Sequence, residues 1–258
     1  MSSIAEIIQA WREKKLNGTQ LMRSLVSHSR WTIPISEEAA AETLAQNAVP
    51  RIQFNRDASG VNRLMLWSSS ETFGNWAQRA KIEKEQYSLE TTGSWVFSLP
   101  LDGIDEIWID PLNAHDILYT ASQLPALRDL AAAVAIEKDI AELRAGTASP
   151  GAVVRVREFP SYWVPVAQSN GRRRLMFAPD NQGRVLAAAF TADDTFTAFL
   201  PEANAAASGE EVVAVKSDGK GLFTMLSGMD VTGIVFNCSG PIKPVAFAAG
   251  LSKVVLEA

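Results

Sequence analysis

Ile4, Ile7, Ile8 and Trp11 share one stripe of a 3.6-residue period and predict that the chain opens with a helix. Asn17-Gly18 is expected to stop it in a left-handed turn, and Thr19 to cap a second helix carrying Leu21, Met22, Leu25 and Val26. Trp31 to Ile35 is short, β-rich and contains a proline, which places it at a strand edge or end. Arg51–Phe54 and Asn62–Trp67 read as two strands of a hairpin around the turn-rich Asn55–Gly60. Ser68–Ser70 offer N-caps to a helix with Phe73, Trp76, Ala77 and Ala80 on its apolar face. Trp95–Leu99 is apolar enough for a helix end or a strand, and Glu106–Ile109 reads as a buried strand ended by Asp110-Pro111. Leu124–Arg144 is a long alanine-rich helix ended by Gly146.

Beyond the breaker-rich linker Ala145–Gly151 the order begins again. Val153–Val156 and Tyr162–Val166 are extended, and Arg174–Phe177 and Val185–Phe190 flank the turn Ala178–Gly183. Asp193 and Asp194 open a helix with Thr195, Phe196 and Phe199. Val212–Val215 is a strand, Leu222–Leu226 a short helix, and Ile234–Phe236 a strand broken at Asn237. Val245–Leu256 closes the fold.

Three stretches recur in one order. Arg30–Ile35 is matched by Ser161–Val166, Trp67–Trp76 by Phe190–Phe199, and Glu106–Pro111 by Gly233–Cys238. The offset is 131 at Pro34/Pro165, 123 at Phe73/Phe196 and 127 at Ile107/Ile234, differences that loop insertions of a few residues supply. This order predicts an α+β fold of two tandem domains, 1–145 and 152–258, each a mixed or antiparallel sheet with helices packed on it. Phe73 and Phe196 are expected to be buried where each helix lies on its sheet.

The repeated words resemble the SseB-like domain, named for an enhanced serine sensitivity phenotype in bacteria. Ala152–Ala249 carries the resemblance through Tyr162, Pro165, Phe190, Thr191, Asp194, Phe196, Gly233 and Asn237. The first unit resembles a diverged copy, with Trp67-Ser68 where the pattern wants Phe-Thr and Asp110-Pro111 where it wants an Asn. The resemblance implies no catalytic residues. It implies accessory, binding or toxin-immunity roles.

Length and composition narrow the classes. A chain of 258 residues with 47% hydrophobic residues can build a sizeable core. The net charge of −5 disfavours nucleic acid as a partner, which calls for a strong basic stripe. The one dense basic run, Arg172-Arg173-Arg174, follows the turn signal Ser169-Asn170-Gly171. It reads as a solvated hairpin tip, or as a contact for phosphate or an acidic partner. The single cysteine, Cys238, rules out an internal disulfide and fits a reducing compartment. The first residues are not expected to form a signal peptide, and no stretch nears the ~18 apolar residues of a membrane span. A cytoplasmic protein without a membrane partner is the expectation.

Candidate chemistry is sparse. Phosphate-loop, nucleophile-elbow and zinc spacings are missing from the sequence, and no cofactor or metal is expected. His28 reads as an exposed helix-end residue. His115, in Asn113-Ala114-His115-Asp116, reads as a loop residue capped by its neighbours. A Cys238 nucleophile with His115 as base would need two strand ends to meet. The acid pairs Asp105-Glu106, Asp193-Asp194 and Glu210-Glu211 lack spacing that compels acid–base work. Asp110 and Asn237 stand at equivalent strand ends, either as backbone caps or as polar contacts in a binding site. Of seven tryptophans, the six in or near repeated words are expected in the core, and any exposed one is a candidate interface anchor.

The leading expectation is a non-catalytic accessory protein that binds another protein, with Asp110, Asn237, His115, Arg172, Arg173 and Arg174 as candidate contacts. A toxin-neutralising immunity protein is the runner-up, its mild acidity suiting a basic toxin. A small hydrolase or transferase using Asp110, His115, Asp116 or Cys238 is the alternative from another class.

Overall fold

The computed structural model describes residues 3–35, 37, 52, 54–81, 87–99, 103–179 and 184–258. The fold is α+β, with nine α-helices and thirteen strands among the described residues. By internal contacts the chain divides into two units, Met1–Ala132 and Ala133–Ala258.

In the first unit, α1 (Ile4–Arg12) buries Ile4 and Ile8 and starts at a Ser3/Glu6 capping box. Its left-handed stop is Lys14, at φ +60°, and not Asn17-Gly18. Asn17 instead caps α2 (Gly18–Val26), accepting from Gln20 N at 2.9 Å, so the helix begins one residue before Thr19. The Asn side chain reaches the third amide of the helix, which makes it the better N-cap. β1 (Trp31–Ile35) is buried throughout. β2 (Asn55–Arg56) and β3 (Asn62–Leu66) form a hairpin whose first strand lies where the turn was expected to begin, closed by Asp57 Oδ1 accepting from Ser59 N and Val61 N. Of the expected strand Arg51–Phe54, residues 51 and 53 lie outside the described residues. The chain continues through α3 (Ser70–Arg79), β4 (Tyr87–Thr91), α4 (Gly93–Ser98), β5 (Glu106–Ile109) and β6 (Ile117–Thr120) into α5 (Leu124–Ala145). β4 pairs antiparallel with β1, and a four-stranded sheet runs β2-β3-β5-β6 with β3 parallel to β5.

In the second unit, α6 (Ala152–Glu158) stands where Val153–Val156 was expected to be extended. Burial of Ala152 and Val156 on one helical face outweighs the β preference of the branched side chains. β7 (Tyr162–Ser169), β8 (Arg172–Leu175), β9 (Phe177–Pro179), β10 (Val185–Ala189), α7 (Asp193–Ala206), β11 (Glu211–Ser217), α8 (Gly219–Ser227), β12 (Gly233–Phe236), β13 (Val245–Ala248) and α9 (Gly250–Glu257) follow. Of the turn expected at Ala178–Gly183, Ala178 and Pro179 belong to β9 instead, where they pair with Leu186 and Val185, and 180–183 lie outside the described residues. β11 pairs antiparallel with β7, β9 antiparallel with β10, β10 parallel with β12, and β12 antiparallel with β13.

Within each unit the pairings come in the same order and register. Leu66 faces Ile109 as Ala189 faces Phe236, and the bridge Thr32–Trp67 has its counterpart in Trp163–Phe190. Core hydrogen bonds correspond too. Trp31 Nε1 donates to Leu25 O, and Tyr162 Oη donates to Val156 O, each at 3.0 Å. Gly93 N donates to His28 O and Gly219 N to Phe159 O, each at 2.8 Å. A Cβ on either glycine would lie 2.4 Å from two backbone carbonyl oxygens. These helix starts press so closely on the ends of α2 and α6, respectively, that only glycine fits.

The units differ in how well they cover the outer sheet face. Phe196 is buried at 6% exposure, but Phe73 is only half-buried, and α3 has no fully buried residue. α3 has 10 residues and α7 has 14, so the longer helix lays more apolar surface on its sheet. Trp31 and Trp67 are buried as expected, while Trp76, Trp95, Trp108 and Trp163 are half-buried.

Candidate functional site

Asp110 and Asn237 end β5 and β12 with φ of +47° and +51°, in the left-handed region that Asn and Asp tolerate best. Asp110 N donates to Leu66 O at 2.8 Å, and Asp110 Oδ1 accepts from Ser68 N at 2.8 Å. Asn237 N donates to Ala189 O at 2.9 Å, and Asn237 Oδ1 accepts from Thr191 N at 3.0 Å. Each side chain is 3% exposed and ties the ends of two parallel strands together. Thr191 Oγ1 donates to Glu137 Oε1 at 2.6 Å, extending the second of these networks to α5. Each Oδ1 thus holds a backbone amide beyond the neighbouring strand, and Asn237 Nδ2 also donates to Thr191 Oγ1 at 3.1 Å.

His115 is half-buried in the loop after β5, beside a recess of about 330 Å³ bordered by Glu6, Gln9, Glu13 and Lys15. Its Nδ1 is buried without a hydrogen-bond partner among the described residues. Two arginines hold that loop. Arg12 donates to Ala114 O and Asp116 O at 2.6 and 2.9 Å, and Arg79 to Leu112 O at 2.7 Å. His28 is half-buried, not exposed, with Nε2 3.1 Å from Ser68 O and its ring edge-on to Trp31. Phe159 has the same edge-on relation to Tyr162 in the second unit, so the His28 ring fills an aromatic position. Cys238 follows Asn237, partly buried against the core of its unit. Burial, aided by Glu202, pushes its thiol up to about 11, which leaves little thiolate to act as a nucleophile near neutrality.

The arginine run is where the sequence placed it. Asn170 and Gly171, at φ +49° and +76°, form the two-residue turn between β7 and β8, with Ser169 opposite Arg172. Positive φ at both central residues marks the turn type whose twist matches a hairpin, and Asn-Gly favours it. The pleat sends Arg172 and Arg174 to one face and Arg173 to the other. All three are exposed. Arg174 is paired with Glu210 at 2.5 Å, and Gln168, opposite Arg173, donates to Glu211 at 2.9 Å. Arg172 and Arg173 have no ion-pair partner among the described residues. They line a recess of about 500 Å³ together with the turn, Gln168 and Glu211. The sequence did not point to Gln168, which cross-strand register places opposite Arg173, nor to Arg174 as the partner of Glu210. Among the described residues, no group of three or more His, Cys, Asp or Glu side chains has a metal-binding arrangement, and no helix is long and apolar enough to cross a membrane.

No family model matches the chain, and no curated protein matches it. Among solved structures, the chain is similar to Anabaena Tic22, a protein described under protein transport, at 7% identity and a TM-score of 0.21. The match covers 83% of this chain and 88% of that one.

Proposed function

We propose that this protein is a non-catalytic accessory protein, a tandem of two copies of one SseB-like α+β unit, that binds another protein through the arginine hairpin of its second unit. The observation that carries the reading is the display of Arg172 and Arg173. They stand on a tight two-residue turn, with guanidiniums exposed and free of ion pairs among the described residues, in a chain of net charge −5. Guanidinium groups held on a rigid strand favour bidentate contact with carboxylates, so the partner is an acidic protein segment. The matching pairings, registers and buried hydrogen bonds of the two units support the tandem reading.

The test is affinity capture on the intact chain from its native extract, run in parallel with the R172E/R173E double variant. A stoichiometric partner is expected on the wild type, released as salt rises and absent from the variant, because exposed ion pairs are screened by salt. Identical capture by both chains would remove the hairpin from the reading. Partner-free turnover of a small molecule by the purified chain, abolished in His115→Ala or Cys238→Ala, would replace the reading with an enzymatic one.

A further inference from the structure

Where α6, α8 and α9 pack together in the second unit, they leave a recess of about 510 Å³. Arg157 and Glu158 at the end of α6, Asp218 and Lys220 at the start of α8, and Leu256 of α9 line it. Two cations and two carboxylates thus share one recess with an apolar side chain. The first unit shows that the fold does not require these charges. Gly219 meets the carbonyls of Val156 and Arg157 as Gly93 meets those of Leu25 and Val26. That correspondence makes Val26 the counterpart of Arg157, Ser27 of Glu158, the N-cap Thr92 of the N-cap Asp218, and Ser94 of Lys220. Val26 is fully buried, and none of the four carries a charge. The same backbone junction is built from uncharged side chains in one unit and from four charged ones in the other.

These charges are only weakly spent on one another. The Arg157 side chain is 25% exposed, and its ion pair is with its own sequence neighbour, Glu158, at 3.4 Å, longer than a strong charge-assisted hydrogen bond. Lys220 is exposed and has no ion pair among the described residues. Asp218 Oδ1 accepts from Gly221 N at 2.6 Å, which leaves its Oδ2 for a ligand. A ligand of one charge sign would meet as many like charges here as opposite ones. A small dipolar ligand finds an opposite partner for each end.

From this we infer that the recess binds a free amino acid with an apolar side chain. Arg157 and Lys220 hold its carboxylate, the planar guanidinium by two parallel hydrogen bonds. Asp218 and Glu158 accept from its ammonium, and Leu256 walls its side chain. A volume of about 510 Å³ lies in the range of small-molecule sites. The site is separate from the arginine hairpin and stands without the protein-binding reading.

Calorimetric titration of L-leucine into the intact chain tests the inference, with N-acetyl-L-leucine and L-leucinamide as ligands that each lack one of the two charges. L-leucine should bind saturably at one site, and each capped ligand at least about tenfold more weakly, because a charge-assisted contact is lost. Lys220→Gln and Asp218→Asn should each weaken L-leucine by a similar factor. Both positions are exposed, and asparagine keeps the N-cap of α8, so both variants fold. R172E/R173E should leave the affinity unchanged, which separates this site from the hairpin. No saturable binding of L-leucine, equal binding of the capped ligands, or an affinity indifferent to both Lys220→Gln and Asp218→Asn would overturn the inference.

Discussion

Asp110 and Asn237 perform one task with two chemistries. Each takes a left-handed backbone at the end of a strand, and each turns its Oδ1 back onto the amide that follows the neighbouring parallel strand. Removing either cap should therefore destabilise its unit. Asn237→Ala should cost about 2–3 kcal/mol, from an unpaired buried amide and from a left-handed backbone that asparagine tolerates better than alanine. Asn237→Gly keeps the backbone and loses only the cap, so it should be about 1 kcal/mol less damaging. Urea unfolding of the two variants decides this. Equal losses would mean that the backbone conformation contributes nothing.

Gly93→Ala and Gly219→Ala should each destabilise by more than about 3 kcal/mol, because a Cβ would sit 2.4 Å from two carbonyl oxygens that belong to a helix end and cannot swing away. Gly74, mid-helix in α3 with open space at its Cβ position, is the control, and Gly74→Ala should stabilise by about 0.5–1 kcal/mol. Melting curves of the three variants would show opposite signs.

Phe196→Ala should cost about 3–5 kcal/mol, as expected of a fully buried phenylalanine. Phe73→Ala should cost about half of that, since its ring is half-buried against Trp67 and Trp76. Chemical denaturation followed by far-UV dichroism compares them directly. A Phe73 loss equal to that of Phe196 would show that α3 is as well seated as α7.

Alkylation of Cys238 should be slow at neutral pH and rise towards a midpoint near pH 11, against an ordinary value of 9.0 for the unfolded chain. Because the folded-state value is raised, the folded protein holds the thiol proton where the unfolded chain has lost it. Stability linked to this group is complete below pH 9 and falls as pH climbs through the folded-state value. Iodoacetamide labelling rates across pH, read by mass, give the midpoint. A midpoint at or below 9 would mean that the thiol is not shielded.

Much of this was legible in the residues. The Asn170-Gly171 hairpin, the Asp57–Gly60 part of the expected turn, the long alanine-rich helix and the equivalence of Asp110 with Asn237 follow from local backbone chemistry, and local chemistry is what sequence encodes most directly. The helix at Ala152–Glu158 was hidden because two adjacent valines favour a strand and only tertiary burial of Ala152 and Val156 reverses that preference. Gly93 and Gly219 gave no sign of their role, since their constraint comes from carbonyls more than sixty residues away in the chain. The difference between Phe73 and Phe196 depends on where each helix stops, and helix ends are weakly specified by sequence.

The caps also carry a kinetic consequence. The bonds from Ser68 to Asp110 and from Thr191 to Asn237 span 42 and 46 residues, and each joins two parallel strands separated by a helix, a strand and another helix. Loops of that length must close before either bond can form, whereas the β2/β3 and β7/β8 hairpins need only a few residues to meet. The rate-limiting ensemble should therefore hold the hairpins and lack the caps. Asn237→Gly should leave the refolding limb of a chevron plot in place and raise the unfolding limb, so that the cap governs how long a folded molecule lasts and hardly affects how quickly it forms. A refolding limb slowed in proportion to the lost stability would place the parallel strand ends in the nucleus instead.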